Sequence, residues 1–243
     1  MEKAHIVGGF RFELSKLTVP AIRERMVASL VNVSAELAAA VADGLGMAVP
    51  TALPRALANP AKPEVTKSPA LSLTALPGDG GIRTRRIAIL AAHGVVGKSI
   101  IALQAALRQA GAVPVVIAPR LGAVKTADGQ ALEADGSLEN SAPVVFDALV
   151  LPDGEAGVTL LVRHGQTAEF ITNQYRHGKT ILALGASSAL LDKVGVAATL
   201  PSGDVDPGVL LVQSKGIDAA AAAFIAAVAM HRHPEREIDP PPV

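Results

Sequence analysis

The chain has 243 residues, room for one ordinary domain plus attachments. Half of them are hydrophobic, 18% are charged, and 22 basic side chains balance 22 acidic ones, which excludes a disordered polyelectrolyte and a strongly basic nucleic-acid binder. Aromatics at 2% leave almost no platforms for stacking bases, and the absence of cysteine excludes disulfides, thiolate nucleophiles and zinc sites built on sulfur.

The opening MEKAHIVGGFRFE has no apolar stretch of the secretory kind and reads as an extended lead-in. The longest apolar run, Ala219 to Met230, falls well short of the ~20 residues that cross a bilayer, so a soluble, cytoplasmic protein is expected. Two short helices then complete residues 1–45. The first has Pro20 in its opening turn, where a missing N–H costs nothing, and carries Ile22, Met26, Val27 and Leu30 at helical spacing. The second starts at the N-cap Ser34, carries Leu37 and Val41 on one side, and stops at Gly44 and Gly46. Residues 46–82 form a linker, because Pro50, Pro54, Pro60, Pro63, Pro69 and Pro77 remove backbone donors and stiffen the path.

From Arg83 onward, strand and helix signals alternate. RRIAILAA, VPVVIA, FDALVLP, KTILALG and GVLLVQ read as strands, and KSIIALQAALRQAG, a region through Tyr175, SALLDKVG and IDAAAAAFIAAVAMHRH as helices. Continuous apolar strands between helices have both faces covered, the sign of a parallel, doubly wound α/β sheet over residues 83–233. The segment from Leu121 to Asn140 departs from this rhythm, and Asp128-Gly129 predicts a hairpin turn within it. His231, Arg232 and His233 sit where cations cap a helix C-terminus, and residues 234–243 read as a frayed tail.

Two motifs carry candidate chemistry. Ala92 to Ser99, AHGVVGKS, matches a loosened phosphate loop between a strand and a helix; Gly97, Lys98 and Ser99 would hold the phosphate and Asp153 the metal of a small nucleotide- or phosphate-binding enzyme. The competing expectation is an ordinary strand-to-helix turn with a solvated lysine. Gly185-Ala186-Ser187-Ser188-Ala189 approaches a serine nucleophile elbow, with Asp204, Asp206, His231 and His233 downstream as partners on paper, although Ala189 replaces the final glycine and serine after a strand commonly serves as an N-cap. The six histidines, His5, His93, His164, His177, His231 and His233, form no zincin-like pair, and Tyr175 is the sole phenol, next to Arg176 and His177 at a helix end before Gly178.

The stretch KAHIVGGFRFELSKLTVPAIRERMVASLVNVSAELAAAVADGLGM resembles the end of the helical region of a large-subunit monofunctional catalase, and SPALSL before PGDGGIRTRRIAIL resembles the linker that follows it. The remainder is similar to the flavodoxin-like C-terminal domain of those catalases, related to the ThiJ/PfpI and class I glutamine amidotransferase-like group. The resemblance implies a flavodoxin-like doubly wound sheet preceded by a short helical segment and a Pro-rich linker. In that family haem, tyrosinate ligand and distal histidine and asparagine lie upstream of the part this chain resembles. Tyr175 belongs to another motif, and His5 and Asn32 match no distal-site pattern, so no catalytic, cofactor-binding or metal-binding residue is expected here, haem being a matter for the parent. The ThiJ/PfpI cysteine aligns with Leu184 in ILALGASSALL and the assisting acid with Lys98 or Ser99, so both working groups are missing and a ThiJ/PfpI-type hydrolase would be a degenerate one. The implied role is structural: packing on a catalase core or on copies of itself in a tetramer, with a chaperone-like holding role as an addition, and without nucleic acid or membrane as partner.

Overall fold

Apolar spacing sets the helices of the first unit, Met1–Leu76, which is separate by contacts from the second, Pro77–Val243. The computed structural model describes residues 2–57, 62, 64–72, 75, 79–213 and 216–243; Pro60, Pro63 and Pro77 of the expected linker lie outside the described residues. In the first unit, α1 (Glu2–Ser15), α2 (Pro20–Val31) and α3 (Ala35–Gly44) enclose a small core of Leu14, Val27, Leu30, Ala38, Val41 and Ala42. Pro20 opens α2, and the Ser34 side chain caps α3 by accepting from the Leu37 N–H at 3.3 Å.

The extended lead-in expected before these helices is instead α1. Val7, Phe10, Leu14 and Leu17 lie at helical spacing and pack on the small core. Gly8 and Gly9 disguise that pattern, each costing about 1 kcal/mol relative to Ala in a helix, and packing outweighs them. Arg11 adds a fastening by donating from Nε to Ala40 O at 3.0 Å. The start of the linker is tied to α2: Leu53 N donates to Ala28 O at 3.3 Å and Asn32 Nδ2 donates to Leu53 O at 2.8 Å.

The second unit runs β1 (Arg86–Leu90), α4 (Gly97–Gln109), β2 (Val113–Ala118), β3 (Gly122–Lys125), β4 (Ala131–Ala134), β5 (Gly136–Ser137), β6 (Ala148–Leu151), α5 (Glu155–Val162), α6 (Gly165–Arg176), β7 (Thr180–Leu184), α7 (Ser188–Val194), β8 (Val209–Val212), α8 (Ile217–Ala229) and α9 (Glu235–Ile238). Among the described residues the main sheet has six strands in the order β5-β2-β1-β6-β7-β8, all parallel, while β3 and β4 form the antiparallel hairpin around Asp128-Gly129. Within each apolar strand the side chains still alternate. Ile87 and Ile89 enter a core layer under α4 and α8 with Leu103, Leu107, Phe224 and Val228. Ala88 and Leu90 enter the opposite layer with Phe170, Ile171, Tyr175 and Leu190.

Three details differ from expectation. The helical region through Tyr175 is two helices, broken at Arg163 and His164. The last long helix ends at Ala229 rather than at His233, because His231 takes a left-handed φ of 66° and turns the chain back, so these histidines do not cap α8. The tail expected to fray from residue 234 onward instead carries α9, anchored by Arg236. This guanidinium is only 6% exposed, pairs with the fully buried carboxylate of Asp206 at 2.7 Å and 3.0 Å, and donates to the carbonyls of Tyr175 and Lys179 at 3.1 Å and 2.8 Å.

Candidate functional site

The sheet order reverses direction between β1 and β6, and ligands of open α/β sheets bind beyond the carboxyl ends of the strands at such a point. Three loops meet there: residues 91–96 after β1, 152–154 after β6 and 185–187 after β7. They interlock at backbone distance. Gly154 has φ 126°, and a Cβ on it would stand 2.4 Å from Gly94 O and 2.7 Å from Val95 Cα, so only glycine fits.

The phosphate-loop motif lies in the first loop, but its amides are committed. Gly94 N donates to Lys125 O at 2.7 Å, Val95 N to Ala92 O at 3.2 Å and Val96 N to Asp153 O at 2.8 Å. Gly97 N and Lys98 N, the free donors at the start of α4, both donate to the Asp128 carboxylate, at 2.9 Å and 2.8 Å. That pairing, the Lys98 amide first, holds Asp128 below the usual carboxylate range against the opposing effect of desolvation. The anion that a phosphate loop waits for is thus supplied by the turn of the β3–β4 hairpin. Ser99 Oγ is likewise used, donating to Val96 O at 2.9 Å. The nucleotide-binding reading of Gly97, Lys98 and Ser99 therefore has no cradle to rest on. Titration with a fluorescent ATP analogue is expected to show no saturable binding for the parent chain or for Lys98→Ala; saturation abolished by the substitution would reinstate the phosphate loop.

The elbow is closed in a similar way. Leu184 is extended, with φ −105° and ψ 126°, and belongs to β7; the sharp turn falls one residue later, at Gly185 with φ 53°. A Cβ at Gly185 would lie 2.3 Å from both Cγ and Oδ1 of Asp153. Nucleophile elbows stabilise an oxyanion with the amide of the residue after the nucleophile. Here the amide two residues after Leu184, Ala186 N, donates to Asp153 Oδ1 at 2.8 Å, and Gly154 N donates to the same oxygen at 2.7 Å. Asp153, expected as a metal-holding acid, thus fills the turn at Gly185 with its own carboxylate. The cavity left beside it, bounded by Val96, Ser99, Asp153 and Leu184, measures about 30 Å³, far below the ~300–1,000 Å³ of small-molecule sites.

Ser187 is fully buried at the N-cap position of α7, but its side chain makes no cap: its Oγ lies 2.7 Å from Leu151 O and 2.9 Å from Leu184 O, so its one proton is spent on carbonyls. Ser188 Oγ approaches only Gly185 O, at 3.4 Å. The histidine and carboxylate needed for a triad are at the other end of β7, roughly 15 Å away at ~3.3 Å per residue. His233 Nε2 meets Thr180 Oγ1 there at 2.8 Å, Asp206 is held by Arg236, and Asp204 belongs to a turn with Ser202. Burial, and then the Arg236 charge, pushes His233 down to about 4, so its ring is neutral at pH 7. His231 is lowered as well, by burial and then by Arg232.

The other titratable candidates are dispersed. His5 lies in α1 and His177 ends α6, while His93 and His164 line a cleft with Arg120 that sequence patterning left unnoticed. Tyr175 is buried beneath Arg236, whose guanidinium carbon stands 4.3 Å from the ring centroid. Burial, followed by the Asp206 charge, raises its pKa and favours the neutral phenol over a phenolate ligand. Among the described residues no cluster of three His, Asp or Glu side chains is placed to hold a metal, and no helix is long and apolar enough to cross a membrane.

Residues 83–237 match the family model of the C-terminal domain found in long catalases, and residues 1–45 match that of the catalase-related immune-responsive segment. Among curated proteins, the chain is 35% identical to catalase HPII of Pseudomonas putida over 97% of its own length and 31% of that protein. It is 37% identical to catalase HPII of Mycobacterium avium over 100% of its length and 34% of that protein. It is 32% identical to catalase-2 of Bacillus subtilis, over 98% and 32%. The chain thus spans about a third of the length of these relatives. Among solved structures, a two-domain protein of Anabaena variabilis containing DJ-1/ThiJ/PfpI-like and ferritin-like domains superposes with a TM-score of 0.54 at 20% identity, covering 59% of this chain and 48% of that one. That likeness shows the fold.

Proposed function

This chain belongs to the family of C-terminal domains found in long catalases, and on that premise we propose that it is a non-catalytic structural module of a large-subunit haem catalase. The observation that carries this reading is the carboxylate of Asp153 lodged in the turn at Gly185, spending the amides of Gly154 and Ala186 and leaving a cavity of about 30 Å³. A reaction needs converging groups with room between them, and the residues present converge on one another instead.

The chain's own residues do not fit haem. Its one phenol is buried under a guanidinium in the second unit, with no open face toward a planar ring system. In this proposal haem binding and peroxide decomposition reside in other parts of a parent protein, and the module stabilises its tetramer. Support for docking comes from the first unit, whose Phe12, Met26 and Val33 side chains are 64%, 41% and 74% exposed. Apolar side chains of that kind are the ones a neighbouring surface covers, and they would also serve a holding role toward unfolded chains.

The purified chain is expected to show no Soret band after incubation with haemin and no oxygen release from hydrogen peroxide. A long catalase deleted of the segment corresponding to residues 83–237 should keep its haem spectrum and lose thermal stability or tetramer. Peroxide turnover by the isolated chain with bound haem, or an unchanged tetramer and melting temperature after the deletion, would overturn the proposal.

A further inference from the structure

The second unit has a cleft of about 350 Å³ on its strand-end surface, distinct from the closed elbow. Its floor and walls are Ala92 after β1, Ala118 at the end of β2, Val124 of the hairpin and Leu160 of α5. Its polar groups are Arg120, His93 and His164, and no carboxylate lines it. The volume falls within the ~300–1,000 Å³ of small-molecule sites, and the mix of apolar walls with a few polar groups is theirs too.

Hydrogen-bond bookkeeping identifies what the polar end lacks. Lys125 N donates to His93 Nδ1 at 3.0 Å, so Nδ1 is the acceptor of the ring and Nε2 its N–H donor. Arg120 Nη2 stands 3.4 Å from that Nε2. A guanidinium has donors only, so this approach sets two N–H donors side by side. One oxygen acceptor bearing negative charge would satisfy both.

We propose that this cleft binds a small organic monocarboxylate, its carboxylate held by Arg120 and the Nε2–H of His93 and its apolar body lying against Ala92, Ala118, Val124 and Leu160. A planar carboxylate matches the fork of a guanidinium, with one oxygen left for the imidazole. Phosphate fits less well, since the alanine, valine and leucine walls would face its remaining oxygens without donors. The inference is independent of the structural role proposed above, because it concerns a cleft formed within the second unit.

The test uses the full chain, labelled with ¹⁵N, and two probes that share a carboxylate but differ in body, benzoate and hexanoate. Both are expected to shift the Lys125 amide and its neighbours saturably. Arg120 is exposed, so Arg120→Gln should leave the remaining spectrum intact while weakening both probes about tenfold or more, the loss of a charge-assisted pair. Benzamide, which keeps the ring without the charge, should bind at least about tenfold more weakly than benzoate. The proposal is overturned if neither acid gives saturable shifts around Lys125, if Arg120→Gln binds them as the parent does, or if inorganic phosphate or benzamide binds as tightly as benzoate.

Discussion

Replacing Arg236 by Ala is expected to destabilise the second unit by about 3–5 kcal/mol, the usual cost of stripping one partner from a buried ion pair. The loss is large because the substitution abandons several groups at once. Asp206 is fully buried, and the Gly208 N–H that donates to it at 2.8 Å does not supply the lost positive charge. The carbonyls of Tyr175 and Lys179 lose their guanidinium donor, and α9 loses the side chain that holds it to the sheet. Chemical denaturation followed by tyrosine fluorescence measures the effect cleanly, since Tyr175 is the sole tyrosine, there is no tryptophan, and Arg236 lies over its ring. Asp206→Ala should be damaging as well, and the double variant should lose less than the sum of the two, because neither charge is then left alone in the interior. A cost below about 1 kcal/mol for Arg236→Ala would place α9 among the dispensable surface elements.

Acid should weaken the same corner of the molecule. His233 is 3% exposed, with its ring against Thr180, and it is held from an ordinary value of 6.5 down to about 4. The sign follows from the proton balance. Above pH 6.5 neither state binds the proton and the stabilisation is complete; as the pH falls from 6.5 toward 4, the unfolded chain takes up a proton that the folded chain refuses, and stability drains away. When fully developed the effect amounts to roughly 3 kcal/mol. The charges that face the ring are Arg236 and Arg232, which oppose protonation, and Asp206 and Glu235, which favour it. Unfolding free energies measured from pH 7 to pH 4 should therefore fall, and His233→Gln should flatten the slope while leaving the smaller contribution of His231. Equal slopes in parent and variant would show that the ring is not the sensor.

Much of the architecture was legible because local patterning and burial agree. The apolar strands β1, β6 and β7, each followed by a helix, could be satisfied only by a sheet covered on both faces, and the hairpin announced itself through Asp128-Gly129. Where the reading went astray, a local signal competed with a distant contact. Gly8 and Gly9 obscured α1, whose packing on α3 decides its conformation, and Pro234 and the charged residues after it concealed a buried arginine.

Residue type and period alone sufficed for the alternation of strands and helices from residue 83 onward, the parallel sandwich, and the lack of any thiolate at the elbow. Tertiary structure decided which groups occupy the two sites that the motifs advertised. Asp128 reaches Gly97 across 31 residues, and Asp153 reaches Ala186 across 33, each carboxylate satisfying amides that a ligand would otherwise claim. Such pairings have no period in the sequence. They follow from which strand ends the sheet sets side by side and from the demand that amides drawn out of water find an acceptor.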